Sequence, residues 1–229
     1  MNSKKKHLFF LYLIISSIAF SQNIENRKRY LIDSLKKEGV DTITVIRCAG
    51  YGWPGTCIRI KKRKNSKKGI YCSVRSAYII LWKAETKFYC RAFNDCMELS
   101  LNELNERNWW EYFKNNKETI TSLKPTQNCI VLNGVKVMYS MNCDSAESPD
   151  SYRTIDHYGF YELEIYTGAS QYQIGELNEF LFCNNKTKNL KEVRILGMFY
   201  SLVKEMADAV RADLDKNGKL ILENFKQSD

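Results

Sequence analysis

The spacing of hydrophobic residues changes along the 229-residue chain, and these changes divide it into predicted helices and strands. Apolar residues three and four positions apart, as on one face of a helix, predict helices at 25–37, 101–123 and 193–210. Apolar residues that alternate with polar ones, or form short β-branched runs, predict strands. These strands are 41–47, 57–62, 70–75, 77–83, 87–93, 129–132, 135–138 and 160–167, with a further strand expected within 172–182.

Two short patterns add detail to the predicted sheet. Residues 77–82 are apolar on both faces, which is typical of a central strand. Asn133-Gly134 separates two apolar runs and suits a type I′ turn. The hairpin that this turn predicts places Cys129 opposite Met138.

The order of these segments predicts the fold class. Helices and strands are interspersed without a regular strand–helix–strand rhythm, so we predict an α+β fold in which two or three helices pack on an antiparallel sheet. The 44% hydrophobic content is sufficient for a core. With three prolines, no Ser/Gly-rich tract and no internal repeat, residues 22–229 are expected to form a single domain.

Residues 1–21 have the features of a secretory signal peptide. Lysines at 4–6 precede an apolar stretch at 8–20, and Ala19-Phe20-Ser21 has the small-x-small pattern that signal peptidase recognises. The apolar stretch is too short to cross a bilayer as a helix. We therefore expect a mature chain that begins near Gln22, has no transmembrane segment and folds in the periplasm or outside the cell. The Lys/Asn/Ile-rich composition suggests a bacterial source.

The formal net charge of +9 is partly concentrated in one segment between two predicted strands. Six cations fall within eight residues, at Lys61, Lys62, Arg63, Lys64, Lys67 and Lys68. One interpretation is a solvated turn, and the other is contact with an anionic lipid or polysaccharide surface. Nucleic acid is not an expected partner, because the chain has an export signal and no nucleic-acid-binding motif.

All eight cysteines lie in the predicted mature chain, and an even number in an exported protein predicts disulfides. Cys48 and Cys57 end two strands that we expect to be adjacent, so we predict a bridge between them. Tyr51 and Trp53 would then lie on a rigid tip, where they can stack on a sugar or a partner protein. The alternative is that both rings fold back onto the core.

Catalytic residue types are scarce in the mature chain. His157 is its single histidine, which excludes histidine metal triads and HExxH helices, and no GxSxG motif occurs. Glu162 and Glu164 share one face of a predicted strand, and paired carboxylates serve glycoside hydrolysis. Their alternation with apolar residues favours an ordinary solvated strand face instead.

Residues 213–225 resemble an EF-hand calcium loop. Asp213, Asp215 and Asn217 would supply the first oxygen ligands, and a glycine follows them as in that loop. Asn224 stands where the loop has a bidentate glutamate, so we predict weak or no calcium binding and no other cofactor. The alternative is a helix whose C-terminus is capped by Asn217-Gly218 and which is followed by an edge strand at 219–222.

Together these features predict an exported, non-enzymatic α+β domain. It is expected to bind a protein or polysaccharide partner, or an anionic surface, at the cell envelope. The alternative is a secreted, glycosidase-like hydrolase that uses the face of Glu162 and Glu164.

Overall fold

A seven-stranded antiparallel sheet forms the centre of the fold. The structure is a computed structural model, and it describes residues 24–51, 56–60, 70–74, 76–104, 108–125, 129–132, 134–138, 158–178, 189–221 and 226–227. The helices are α1 Ile24–Lys37, α2 Asn108–Ser122 and α3 Lys191–Asn217. The strands are β1 Thr42–Tyr51, β2 Thr56–Ile60, β3 Ile70–Val74, β4 Ser76–Ala84, β5 Lys87–Asn94, β6 Met97–Leu104, β7 Cys129–Leu132, β8 Val135–Met138, β9 Tyr158–Thr167, β10 Ser170–Leu177, β11 Lys219–Leu220 and β12 Lys226–Gln227.

The strands form three sheets. The large sheet has the spatial order β10-β9-β1-β4-β5-β6-β11, a small sheet has the order β12-β3-β2, and β7 pairs with β8. The predicted α+β class is confirmed, because an antiparallel sheet and three helices make up the described part of the chain. None of these described helices is long and apolar enough to cross a membrane. The predicted signal peptide lies outside the described residues.

Helices cover both faces of the large sheet. Helices α2 and α3 pack on one face over the larger core, and α1 packs on the other face over a smaller cluster. Strand β4, the fourth of the seven, shows why both faces are apolar: Ile79 and Leu81 enter the larger core, whereas Tyr78 and Ile80 enter the smaller one. The central strand predicted at 77–82 is therefore confirmed.

Aromatic rings fill the larger core where α2 lies on the sheet. Phe88 of β5 lies against Trp109 and Trp110, with ring centroids 6.2 Å apart in each case. Phe113 continues the contact, 5.7 Å from Trp110 and 5.8 Å from Phe199 of α3. These large buried surfaces hold α2 and α3 on the same face of the sheet.

One predicted helix begins too early. The segment 101–104 was expected to be helical, but it is the end of strand β6, and α2 begins at Asn108. Leu104 pairs with Phe88, and Glu103 pairs with Tyr89. Pairing with a neighbouring strand therefore outweighs the helix propensity of this leucine- and glutamate-containing segment.

The hairpin predicted from Asn133-Gly134 is confirmed. Strands β7 and β8 pair antiparallel, and Cys129 lies opposite Met138 as expected. Gly134 has a φ of +79°, which suits the left-handed conformation that a type I′ turn requires.

A disulfide joins the two larger sheets. Cys72 of β3 is bonded to Cys96, which lies between β5 and β6. The backbone amides of Cys96 and Met97 both donate to the Asn94 side-chain oxygen, at 2.8 and 2.7 Å, which fixes the turn that presents Cys96. The small sheet is therefore covalently attached to the large one.

The prediction of a Cys48–Cys57 bridge is wrong. Cys48 is a free, buried thiol, and its strand β1 pairs with β4 and β9. Cys57 is on β2, which pairs with β3 in the other sheet. The prediction assumed that β1 and β2 form a hairpin, and they do not.

A buried ion triad ties α1 to the sheet. Arg27 of α1 contacts Glu98 of β6 at 3.5 Å, and Arg91 of β5 donates to the other oxygen of the same carboxylate. The side chains of Arg27, Glu98 and Arg91 are only 3%, 13% and 15% exposed. Because removal of one member leaves buried charge without its counterion, such groups are sensitive to substitution.

We expect Glu98→Gln to lower the free energy of unfolding by about 3 kcal/mol, because two arginines would lose their shared counterion. Glu103→Gln is the matched control: Glu103 is on the same strand, and its ion pair with Lys87 is exposed. That control should lose less than about 1 kcal/mol. Urea unfolding of both variants measures the difference, and equal losses would contradict the buried triad.

We also expect peptide mapping without reductant to recover a Cys72–Cys96 peptide. The joined residues are 24 apart in sequence, so Cys72→Ala/Cys96→Ala should lower the free energy of unfolding by about 3 kcal/mol. Reductant should destabilise the wild type and leave the double variant unchanged. A double variant that responds to reductant as the wild type does would contradict this pairing.

Candidate functional site

A charged groove lies where the N-terminal part of α1 crosses strands β1, β4 and β9. We call it the charged groove, and its volume is about 190 Å³. The lining residues are Glu25, Lys28, Val45, Arg47, Tyr78, Glu162 and Glu164. It contains the two glutamates that the sequence singled out.

Strand register brings the groove residues together. Arg47 of β1 lies opposite Tyr78 of β4 on one side and opposite Glu162 of β9 on the other. Val45, two residues before Arg47 on β1, lies opposite Glu164. Because side chains two positions apart share a face, these two rows lie side by side under α1.

The alternation of β9 produces this face. Tyr161, Leu163 and Ile165 are buried in the larger core, so Glu162 and Glu164 point to the opposite face, where α1 lies. The predicted alternation is therefore confirmed. The glutamates do not lie on an open strand face, however, since the side chains of α1 partly cover them.

Every carboxylate of the groove has a cation or hydroxyl partner. Arg47 Nη1 donates to Glu162 at 2.7 Å, and Lys28 Nζ contacts both Glu164 and Glu25 at 3.2 Å. Two tyrosine hydroxyls complete the network: Tyr78 donates to Glu25, and Tyr166 donates to Glu164 at 2.7 Å. The groove thus contains the Arg47–Glu162 ion pair and a second set of ion pairs and charge-assisted hydrogen bonds around Lys28.

These contacts shift the pKa values of three groove residues. Burial alone would raise the pKa of Glu25, but the hydrogen bond from Tyr78 and the ion pair with Lys28 outweigh burial and lower it. Burial and the bond to Glu25 both raise the pKa of Tyr78. Burial opposes the charge of Arg47, yet the bond to Glu162 raises the pKa of Arg47 overall. The charged forms of Glu25 and Arg47 are therefore favoured.

Cations also lie over aromatic rings around the groove. Arg47 is 5.8 Å from the centroid of the Phe160 ring, and Lys28 is 5.2 Å from that of Tyr78. Lys36, about two helical turns beyond Lys28 on α1, lies 4.1 Å from the Tyr166 ring. These contacts orient the cationic side chains toward the sheet surface.

Of the predicted aromatic tip and the basic run, only Tyr51 lies within the described residues. Tyr51 is the last residue of β1 and lies opposite Tyr158. Trp53 and the six cations of 61–68 lie outside the described residues. The strands that flank the basic run, β2 and β3, pair antiparallel, with Ile60 opposite Ile70. Surface binding by these residues stays a prediction.

Residues 213–217, which resemble the start of an EF-hand calcium loop in sequence, are helical in the structure. Asp213, Asp215 and Asn217 all lie within the last turns of α3, which continues to Asn217. Asp213 accepts a hydrogen bond from Asn102 at 2.7 Å. The following edge strand, β11, pairs with β6, as the alternative interpretation expected. Within the described ranges, no group of three acidic, histidine or cysteine residues is placed to hold a metal ion.

The buried thiols are not nucleophile candidates. Burial raises the pKa of Cys48 to about 12, and it does the same for Cys90. The thiolate is the reactive form of cysteine, so both residues are expected to be inert in the folded protein.

Sequence reasoning missed the partners of Glu162 and Glu164. Arg47 is 115 residues from Glu162, and Lys28 is 136 residues from Glu164. No short motif links residues this far apart. The one usable signal was the position of Arg47 on an otherwise β-branched strand, where it breaks the apolar face.

No protein-family model, curated protein or solved structure matches this chain. Its function therefore has to be inferred from its own residues.

The lowered pKa of Glu25 predicts a pH dependence of stability. A carboxyl group whose pKa falls on folding stabilises the protein above its ordinary pKa of 4.5, and this contribution disappears as the pH falls below that value. Glu25→Gln should therefore lose less stability than the wild type when the pH drops from neutral to acid.

Glu38, just after α1, provides a control of opposite sign. Burial raises its pKa, so its contribution is present at low pH and is lost as the pH rises through the raised value. Glu38→Gln should lose more stability than the wild type on acidification. Urea unfolding across this pH range measures both slopes, and a change of the same sign in both variants would contradict the assignment.

Proposed function

We propose that the protein is an exported, non-enzymatic domain that binds a protein or polysaccharide partner at the cell envelope, with the charged groove as a contact site. The export signal predicted at 1–21 and the Cys72–Cys96 disulfide support this location, since disulfides persist in oxidising compartments. The basic run at 61–68 adds a candidate contact with anionic surfaces.

The proposal rests on the ion pairs that the two groove glutamates already form. Glu162 and Glu164 are already paired with Arg47 and Lys28. A substrate would have to compete with these cations for both carboxylates. The groove, at about 190 Å³, is also smaller than the roughly 300–1,000 Å³ of sites that enclose small-molecule ligands. Both features suit a surface contact better than a catalytic pocket.

A secreted, glycosidase-like hydrolase is the second candidate, and one observation favours it. Glu162 and Glu164 line the same groove rather than an open surface. Residues two apart on a strand have Cα atoms about 6.5–7 Å apart, and from that spacing two glutamate side chains can reach the roughly 5–9.5 Å between the carboxyl groups of glycoside hydrolases.

One experiment separates the two candidates. We expect the mature chain, residues 22–229, to turn over none of a panel of chromogenic glycosides and peptides. The same chain should sediment with isolated envelope material, and less of it should do so at high salt, because exposed charges are screened. Turnover by the wild type that is lost in Glu162→Gln and kept in Glu103→Gln would favour the hydrolase. Absence of both turnover and sedimentation would contradict both candidates.

A further inference from the structure

We propose that the outer edge of strand β10 pairs with the same edge of a second copy of this chain, so that two seven-stranded sheets join across a two-fold axis. The inference concerns a surface other than the charged groove, and it does not depend on the proposed function. Its basis is the main-chain groups that β10 directs outward, the uncharged sequence of this stretch and its symmetry.

Strand β10 lies at one end of the seven-stranded sheet. At the other end, β11 covers part of β6, where it pairs with Met97 and Glu98. Among the described strands, β9 is the one that pairs with β10, and none lies on its outer side. Outward N–H and C=O groups of such an edge strand can pair with another chain.

The hydrogen bonds of β9 show which residues of β10 face outward. Gly168 N–H donates to Asp41 O at 2.8 Å, so even-numbered residues of β9 bond to β1 and odd-numbered residues bond to β10. Tyr172 lies opposite an odd-numbered residue of β9 and therefore bonds inward. Its two neighbours, Gln171 and Gln173, direct their main-chain groups away from β9.

The far end of this edge is already occupied. Glu176 N–H donates to Pro125 O at 3.1 Å, and Gly175 lies so close to the same carbonyl that a Cβ would not fit there. The segment after α2 therefore bounds the free part of the edge. Within the described part of the chain, no main-chain group bonds to Gln171 or Gln173 on their outer side.

The free stretch has none of the features that keep edge strands from pairing. Natural edge strands carry lysines, other charges or prolines for this purpose. Residues 170–175 read Ser-Gln-Tyr-Gln-Ile-Gly, with no charge and no proline. Pairing of two such stretches therefore brings no like charges opposite each other on the strands.

The symmetry of the sequence identifies a second copy as the occupant. Gln171 and Gln173 are placed symmetrically about Tyr172. In an antiparallel pair centred on Tyr172, Gln171 of one copy lies opposite Gln173 of the other, and each glutamine both donates and accepts one main-chain hydrogen bond. Their side-chain amides, which are donors and acceptors, also lie side by side. The same patch serves both copies, as in other two-fold dimers.

One lysine opposes this association and gives it a signature. Lys117 Nζ lies 5.2 Å from the centroid of the Tyr172 ring. Because the axis passes beside Tyr172, the two copies of Lys117 approach each other in the dimer. Salt screens this repulsion. We therefore expect the dimer to become tighter as salt rises, which is the reverse of a contact between opposite charges.

Analytical ultracentrifugation of the mature chain, residues 22–229, tests the proposal. We expect a reversible equilibrium between monomer and dimer that shifts toward the dimer as the protein concentration and the salt concentration rise. The dimer should separate on a denaturing gel without reductant, which excludes an intermolecular disulfide. A chain that stays monomeric, or a dimer that weakens as salt rises, would overturn the proposal.

A proline at an outward position tests whether the edge of β10 is the interface. Gln173→Pro removes an N–H that does not bond to β9, so the fold should be retained and dimerisation should weaken by about tenfold. Gln173→Ala is the matched control, because it removes the side chain but keeps the N–H, and it should weaken dimerisation by less than about threefold. A folded proline variant that dimerises as the wild type does would overturn the proposal.

Two charged variants test the occupant and the register together. Gln171→Lys/Gln173→Lys places lysines opposite lysines, and Gln171→Glu/Gln173→Glu places glutamates opposite glutamates. Each variant by itself should be monomeric, whereas an equimolar mixture should form dimers that contain one copy of each. If both variants unfold in urea as the wild type does and their mixture stays monomeric, the proposed pairing is wrong.

Discussion

The pairing of β1 with β9 is the constraint on which both the core and the groove depend. The two strands pair over ten residues from Thr42–Thr167 to Tyr51–Tyr158, and they come from distant parts of the chain. A slip of one residue would exchange the two faces of β9. It would turn Glu162 and Glu164 into the core under α3 and move Leu163 out of it. The buried apolar residues of β9 therefore fix the register that also aligns Glu162 with Arg47.

Helix α1 depends on this register, and on its face of the large sheet it connects strands that lie on opposite sides of the central strand β4. Two consecutive residues of one helical turn contact different strands: Arg27 contacts Glu98 on β6, and Lys28 contacts Glu164 on β9. Strands β1, β4 and β5 lie between those two strands. The leucine and isoleucine contacts of α1 supply its hydrophobic attachment, and the ionic contacts set its position along and across the sheet. The groove exists because the polar part of α1 extends beyond this apolar contact.

The sequence predicted features that depend on neighbouring residues. The apolar run at 77–82 identified the central strand, Asn133-Gly134 identified a hairpin with its register, and the spacing at 193–210 identified most of α3. It failed where long-range pairing decides the outcome. Residues 101–104 resemble a helix start, yet β5 holds them as a strand. The Cys48–Cys57 prediction relied on chain proximity, whereas β1 and β2 belong to different sheets. The cations that pair with Glu162 and Glu164 were not identified for the same reason.

The last strands of the chain complete sheets that its first strands begin. Strand β11 pairs with β6 after α3, and β12 pairs with β3, more than 150 residues earlier in sequence. Neither of these sheets is complete until nearly all of the sequence is available, because these two pairings close long loops. Pairing between strands that are distant in sequence slows folding, because the entropy of closing a long loop is lost before the contacts form. We therefore expect this protein to remain unfolded for longer after synthesis than a helical bundle of equal length, an interval in which an unfolded chain can still be threaded through a narrow channel.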